Sequence, residues 1–159
     1  MSAAEAEAHF VISDLMSEYS ELIDQDRLED WIELFTEDAV YRIIPRENVE
    51  QNLPAPIILC TNKNMLRDRI TSLRSANEYN LHYDRHIVGS LRTKRQSADA
   101  WTATASYAVF QTTLEGQSRL FSTGRYEDRI RRENGAYRFA EKVVIVDTFS
   151  VPTLLATPL

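Results

Sequence analysis

Five consecutive residues, His82-Tyr83-Asp84-Arg85-His86, hold the densest chemistry in the sequence. On an extended strand, residues two apart share a face, so His82, Asp84 and His86 point the same way. Two histidines and a carboxylate are the ligand set of a non-haem iron facial triad. Strand geometry argues against that use here. Successive same-face residues stand about 7 Å apart, too far for all three to reach one ion at about 2.1 Å. His86 then reads as a hydrogen-bonding structural or interface residue.

Proton transfer is the second chemistry to weigh. Tyr19, Asp24, Asp26, Tyr41 and His86 are candidates for a buried acid or base. The structural alternative is that Asp24 and Asp26 end a helix and mark a turn, while the tyrosines fill a core. Other chemistries lack their residues. A Rieske cluster takes two cysteines and two histidines, and Cys60 is the only cysteine. Gly89, Gly116, Gly124 and Gly135 do not fall in a phosphate-loop spacing, and no Gly-x-Ser-x-Gly elbow occurs. Cys60 follows Ile57-Ile58-Leu59, an apolar context that predicts a buried, inert thiol. Hence no catalytic, cofactor-binding or metal-ligating residue is assigned to this chain.

The elements that must position these residues fall into two halves. Val11, Ile12, Leu15, Met16, Tyr19, Leu22 and Ile23 make one stripe of period 3.6, which predicts a helix from about Ala8 to Ile23. A second short helix carries Leu28, Trp31, Ile32, Leu34 and Phe35. Val40 to Ile44 reads as a short strand stopped by Pro45, and Arg46 to Ile57 as an ordered loop. A third helix spans about Asn64 to Glu78, capped by Thr61 or Asn62. The period then changes to 2. Four long strands are predicted at His82–Arg95, Ala98–Leu114, Ser118–Arg132 and Ala136–Phe149, and Asn134-Gly135 is a strong hairpin signal. Helices followed by an antiparallel meander give an α+β chain. Strands this long twist and curl. The expected shape is a cone like the nuclear transport factor 2 (cystatin-like) fold, three N-terminal helices packed on a strongly curved, mostly antiparallel sheet.

Length and charge narrow the class. The 159 residues suit one domain, 1–159. Hydrophobic residues make up 43% and charged residues 26%, the profile of a globular protein, and the net charge of −6 argues against nucleic acid. The start, Met1 to Phe10, is acidic and unlike a signal peptide. No apolar run reaches the roughly 20 residues needed to span a bilayer. The expected location is therefore the cytoplasm. Two surfaces stand out for assembly. Period 2 puts Arg119, Arg125, Arg129 and Arg131 on one face, where they require acidic partners on the same sheet or on another chain. The uncharged tail from Val151 to Leu159 is expected to dock on its own domain or, in preference, on another subunit.

With these residues in view, the chain resembles the β subunits of Rieske-type aromatic-ring-hydroxylating dioxygenases over nearly its full length. The markers run in order: Asp24, Trp31, Asp38, Tyr41 and Pro45, then Met65 to Ile70 with Leu73-Arg74, then Arg85-His86-Ile87-Val88-Gly89-Ser90-Leu91. The family usually has Ser-Asn where Gly89-Ser90 stand. The resemblance implies a structural subunit in an assembly of three α and three β chains. It implies that the α subunit holds the Rieske 2Fe-2S cluster and the mononuclear non-haem iron, and that a reductase supplies electrons from NAD(P)H. Ile44 to Asn48, Leu53 to Ile57 and Cys60 resemble the branch that converts aromatic carboxylates (terephthalate, anthranilate, salicylate) to cis-dihydrodiols, with terephthalate preferred. Two rivals share the fold: a stand-alone dehydratase or isomerase using a buried Asp or His, and a ligand-binding module.

Overall fold

Ser2 opens the first helix. Its hydroxyl accepts from the main-chain N–H of Glu5, and the Glu5 carboxylate accepts from the N–H of Ser2 at 2.7 Å, a reciprocal cap. This cap sets the start of α1 (Ala3–Asp24) several residues earlier than its apolar stripe does. The computed structural model describes residues 1–75, 82–147 and 157–159.

A tight turn follows α1, with Asp26 at φ 57°. It leads to α2 (Leu28–Trp31) and a 3₁₀ turn, Ile32–Leu34. Phe35 is not helical as expected; it begins β1 (Phe35–Pro45) and pairs with Phe139. Pro45 ends the strand and precedes a short α3 (Arg46–Glu50), where the sequence predicted only loop. A further unpredicted strand, β2 (Ile58–Cys60), lies antiparallel to β1. Then comes α4 (Lys63–Ser75), where Asn62 accepts from the N–H of Met65 at 3.0 Å. The predicted extension of that helix to residue 78 lies outside the described residues.

The long strands are β3 (His82–Arg95), β4 (Ala100–Thr113), β5 (Ser118–Glu133) and β6 (Ala136–Val146). The predicted continuation to Phe149 lies outside the described residues. Asn134 and Gly135 sit at φ 51° and 81°, as a type I′ hairpin turn requires. The sheet order is β2-β1-β6-β5-β4-β3. Every neighbouring pair is antiparallel except β1 with β6, which is parallel. Bulges at Gly89/Arg92, Val109/Phe110 and Arg129/Ile130 bend the strands. The result is an α+β fold, helices packed on a curved, mixed sheet of six strands.

The inner face of the sheet and the buried stripe of α1 meet in an aromatic core. Tyr19 stands at its centre, 5.5 Å from Phe139, 5.7 Å from Trp31 and 5.8 Å from Tyr126 between ring centroids. Buried rings of this size contribute most of a core's apolar area.

Candidate functional site: the interior of the cone

Asp24, the last residue of α1, reaches across to β3. Its carboxylate lies 2.6 Å from His86 Nδ1 and accepts the His86 main-chain N–H at 3.0 Å. The His86 side chain is fully buried and that of Asp24 nearly so. Two of the five acid–base candidates, Asp24 and His86, are thus brought together, while Asp26 is not. One carboxylate holds both the ring and the backbone of His86, which ties the end of the helix to the sheet.

Tyr19 and Tyr41 converge on Leu159. The Tyr19 hydroxyl donates to the main-chain oxygen of Leu159 at 2.5 Å, and the Leu159 N–H donates to the Tyr41 hydroxyl at 3.3 Å. Leu159 is 1% exposed. Of the two docks expected for the tail, Leu159 takes the one on its own chain: it lies in the core, where one buried hydroxyl accepts from its main-chain N–H and another donates to its main-chain oxygen. Residues 151–156 of the tail lie outside the described residues. Burial raises the Tyr41 hydroxyl to about 12 and Tyr19 well above its ordinary value. Both phenols stay protonated at neutral pH.

Asp26 takes a different path. Exposed at its turn, it receives Arg74 at 2.8 Å, and Arg74 also binds Glu29 at 2.8 Å. Hydrogen bonding from Arg74 lowers Glu29 to about 2. Asp26 is thus part of a surface clasp between the α1–α2 turn and α4.

His82, Asp84 and His86 do share the inner face, but His82 pairs with Asp84 while His86 pairs with Asp24. His82 Nε2 is 3.3 Å from Asp84 Oδ1 and 3.2 Å from Gln111 Nε2. Thr157 donates to Asp84 at 3.3 Å. Among the described residues, no group of three His, Cys, Asp or Glu side chains is placed to hold a metal ion.

A charged pair in the core was missed by sequence reasoning. Lys142 on β6 and Asp128 on β5 are opposite each other, fully buried, and 2.9 Å apart. The ammonium also sits over the rings of Tyr126 at 3.5 Å and Tyr19 at 4.3 Å. Burial raises Asp128 to about 6 against the opposing pull of Lys142, and burial lowers Lys142. The signal was present in the pattern, since Tyr126, Asp128 and Ile130 alternate inward and the middle one is an acid.

The arginine strand needs a correction. Arg125, Arg129 and Arg131 point outward and meet Glu127, Glu141, Asp38 and Glu133 on the same chain. Arg119 does not join them. Phe121 and Ser122 are both buried at the bulge, which flips the phase, and Arg119 donates to the inward Gln111. Cys60 is buried as expected, and burial raises its thiol.

The cone interior is thus filled by rings, a buried ion pair and Leu159. A remaining cavity of about 10 Å³ is lined by Leu28, Trp31, Tyr41, Leu66, Arg69 and Pro158, among others. That is about the room one water needs.

Residues 4–143 match the SnoaL-like domain, and the chain belongs to that family. Its sequence relatives include several dioxygenase small subunits. The small subunit of anthranilate 1,2-dioxygenase from Burkholderia cepacia is 43% identical, over 94% of this chain and 93% of its own. Subunit beta 1 of the terminal oxygenase component of terephthalate 1,2-dioxygenase, from a Comamonas species, is 36% identical over 89% and 92%. A crystal structure from Novosphingobium aromaticivorans, assigned as the β subunit of an aromatic-ring-hydroxylating dioxygenase, superposes with a TM-score of 0.90 at 40% identity, covering 98% and 99% of the two chains. The chain belongs to the small subunits of aromatic-ring-hydroxylating dioxygenases, non-catalytic subunits of oxidoreductase complexes.

Proposed function

We propose that residues 1–159 act as one domain whose task is assembly: a β subunit that supports a larger, iron-carrying α subunit. The collinear match to a dioxygenase small subunit over 94% of the chain carries the reading. The interior supports it, because Tyr19 and Tyr41 are engaged with Leu159, and Asp24 also holds the main chain of His86 and so ties α1 to β3. The outer face supports it too. Tyr83, Ile87, Phe110 and Leu120 are exposed there on three adjacent strands, with Phe110 directly opposite Leu120. Exposed apolar patches of this kind mark interaction surfaces.

The full reading is an oxygenase of three α and three β chains in the cytoplasm, served by a reductase, with the Rieske cluster and mononuclear iron in α. This chain supplies no catalytic, cofactor or metal residue of its own. The substrate class is aromatic carboxylates. Terephthalate, preferred from the sequence, now stands behind anthranilate, whose small subunit is the more similar of the two relatives. No helix among the described residues is long and apolar enough to cross a membrane.

Co-expression with a large oxygenase chain from the same source tests the proposal. Equal amounts of the two chains in one complex are expected, with iron following the large chain. A stable monomer that ignores the large chain would overturn it. The enzyme reading is tested separately: replacing a true general base typically costs about a hundredfold or more in rate, so Asp24→Asn should leave turnover of the assembled complex within a few-fold of wild type.

A further inference from the structure

We propose that the interior of the cone is a binding site for a branched apolar side chain whose own main-chain N–H and oxygen are both held, and that the chain fills this site with its own Leu159. Three observations carry it. Leu159 lies 140 residues from Tyr19 and 118 from Tyr41 in sequence, yet its main-chain N–H and its main-chain oxygen are each met by one of these two hydroxyls. The hydroxyls come from different elements, α1 and β1. The wall beside them is mostly apolar, formed by Leu28, Trp31, Ile58, Leu66 and Ile70 together with Arg69, and Pro158 lines it too, with only about 10 Å³ left over. A donor and an acceptor matched to the main chain of one residue, beside a fitted wall, are what a small ligand site offers.

Removing Leu159 would leave two buried hydroxyls without these partners and a cavity beside them, both unfavourable. A ligand of the same chemistry supplied from outside would relieve both. While Leu159 is in place, its tether gives it an effective concentration that free ligands cannot match. The proposal therefore gives the tail the role of an intramolecular ligand that denies the cone to solutes.

The test uses the full chain carrying Leu159→Asp, which puts a charge where the apolar group sits, and the peptide acetyl-Thr-Pro-Leu as probe. The variant is expected to melt at least about 5 °C below wild type. The peptide should raise the melting temperature of the variant and bind it at least tenfold more tightly than it binds wild type. Adding Tyr19→Phe and Tyr41→Phe to the variant should weaken the peptide at least tenfold while an aromatic ring remains at each position. If Leu159→Asp does not fold, Leu159→Ala carries the same expectations. Equal peptide affinity in the folded variant and wild type, or no binding to either, overturns the proposal. So does an unchanged melting temperature.

Discussion

Two ion pairs sit side by side on the same two strands and face opposite ways. Asp128 and Lys142 meet at 2.9 Å on the inner face with neither side chain exposed. Arg129 and Glu141, one residue further along each strand, meet at 3.4 Å on the outer face, where Arg129 is 75% exposed. The bonding partners are alike, but the surroundings differ. In a dry interior each charge depends on the other, because loss of one leaves the second desolvated and unpaired. In solvent, water replaces a lost partner and the pair contributes little. The inner face is therefore committed to the fold. The outer face can change with little cost and remains available to other chains.

Lys142→Met breaks this contrast most strongly. It should destabilise the chain by about 3–5 kcal/mol in urea titration, the usual cost of orphaning a buried charge. Lys142→Met combined with Asp128→Leu should recover most of that loss. The pair also sets a pH dependence. Asp128 is raised from 3.8 to about 6, so the native chain holds this proton more tightly than the unfolded chain does. Its contribution to stability is full below about 3.8 and is lost as pH rises through about 6. Asp128→Asn should flatten that part of the stability–pH curve.

Asp24→Asn comes next, at about 2 kcal/mol, the range for hydrogen bonds to a charged group. A stability loss with turnover of the assembled complex nearly intact would confirm the clasp between α1 and β3. Ser90 offers a smaller effect of opposite sign. It sits at φ 55° beside a bulge, a region L residues other than Asn and Asp avoid. Ser90→Gly should raise stability by about 1 kcal/mol, read as a shift in urea midpoint. The smallest change in stability is expected on the outer face. Arg129→Met and Ile87→Asp should each stay within about 0.5 kcal/mol. Ile87→Asp should nonetheless weaken recovery of the large subunit in a pull-down, and an unaffected complex would remove the outer patch from the assembly surface.

The parts of the fold visible in the sequence were those whose signals are local. β3 to β6 announce themselves by long alternation, and Asn134-Gly135 marks a turn whose two residues need positive φ. The first helix was read from its stripe, and only its start was misjudged, because Ser2 and Glu5 cap it before the stripe begins. Phe35 was assigned to a helix because its spacing from Ile32 and Trp31 fits one, yet its pairing with Phe139 on β6 makes it extended. β2 is three residues long, too short for a period, and was hidden behind Pro54 and Pro56. Nothing local reveals a parallel β1–β6 pair, whose partners are separated by most of the chain.

The site divides in the same way. Tyr19, Asp24, Tyr41 and His86 were singled out by residue type, and the structure puts all four in the interior. Their partners were not legible, since Asp24 finds His86 across 62 residues and the tyrosines find Leu159. Asp26 was grouped with Asp24 by proximity in sequence, but the turn between them sends it to Arg74. Arg119 was put on the wrong face because a strict period of 2 cannot see the bulge at Phe121.

The parallel pairing of β1 with β6 also governs the order in which a growing chain can fold. Chains emerge N-terminus first, and domains tend to fold as they appear. β1 can meet β2 early, but its other edge pairs only with residues 139–146. Until those residues are synthesised, β1 presents an unpaired edge and the apolar stripe of α1 lacks β6 beneath it. A ribosome stalled before Ala136 would therefore hold a chain with both surfaces open, the state in which strand edges aggregate and chaperones bind. Release of the last hairpin, β5–β6, is the event that closes the molecule.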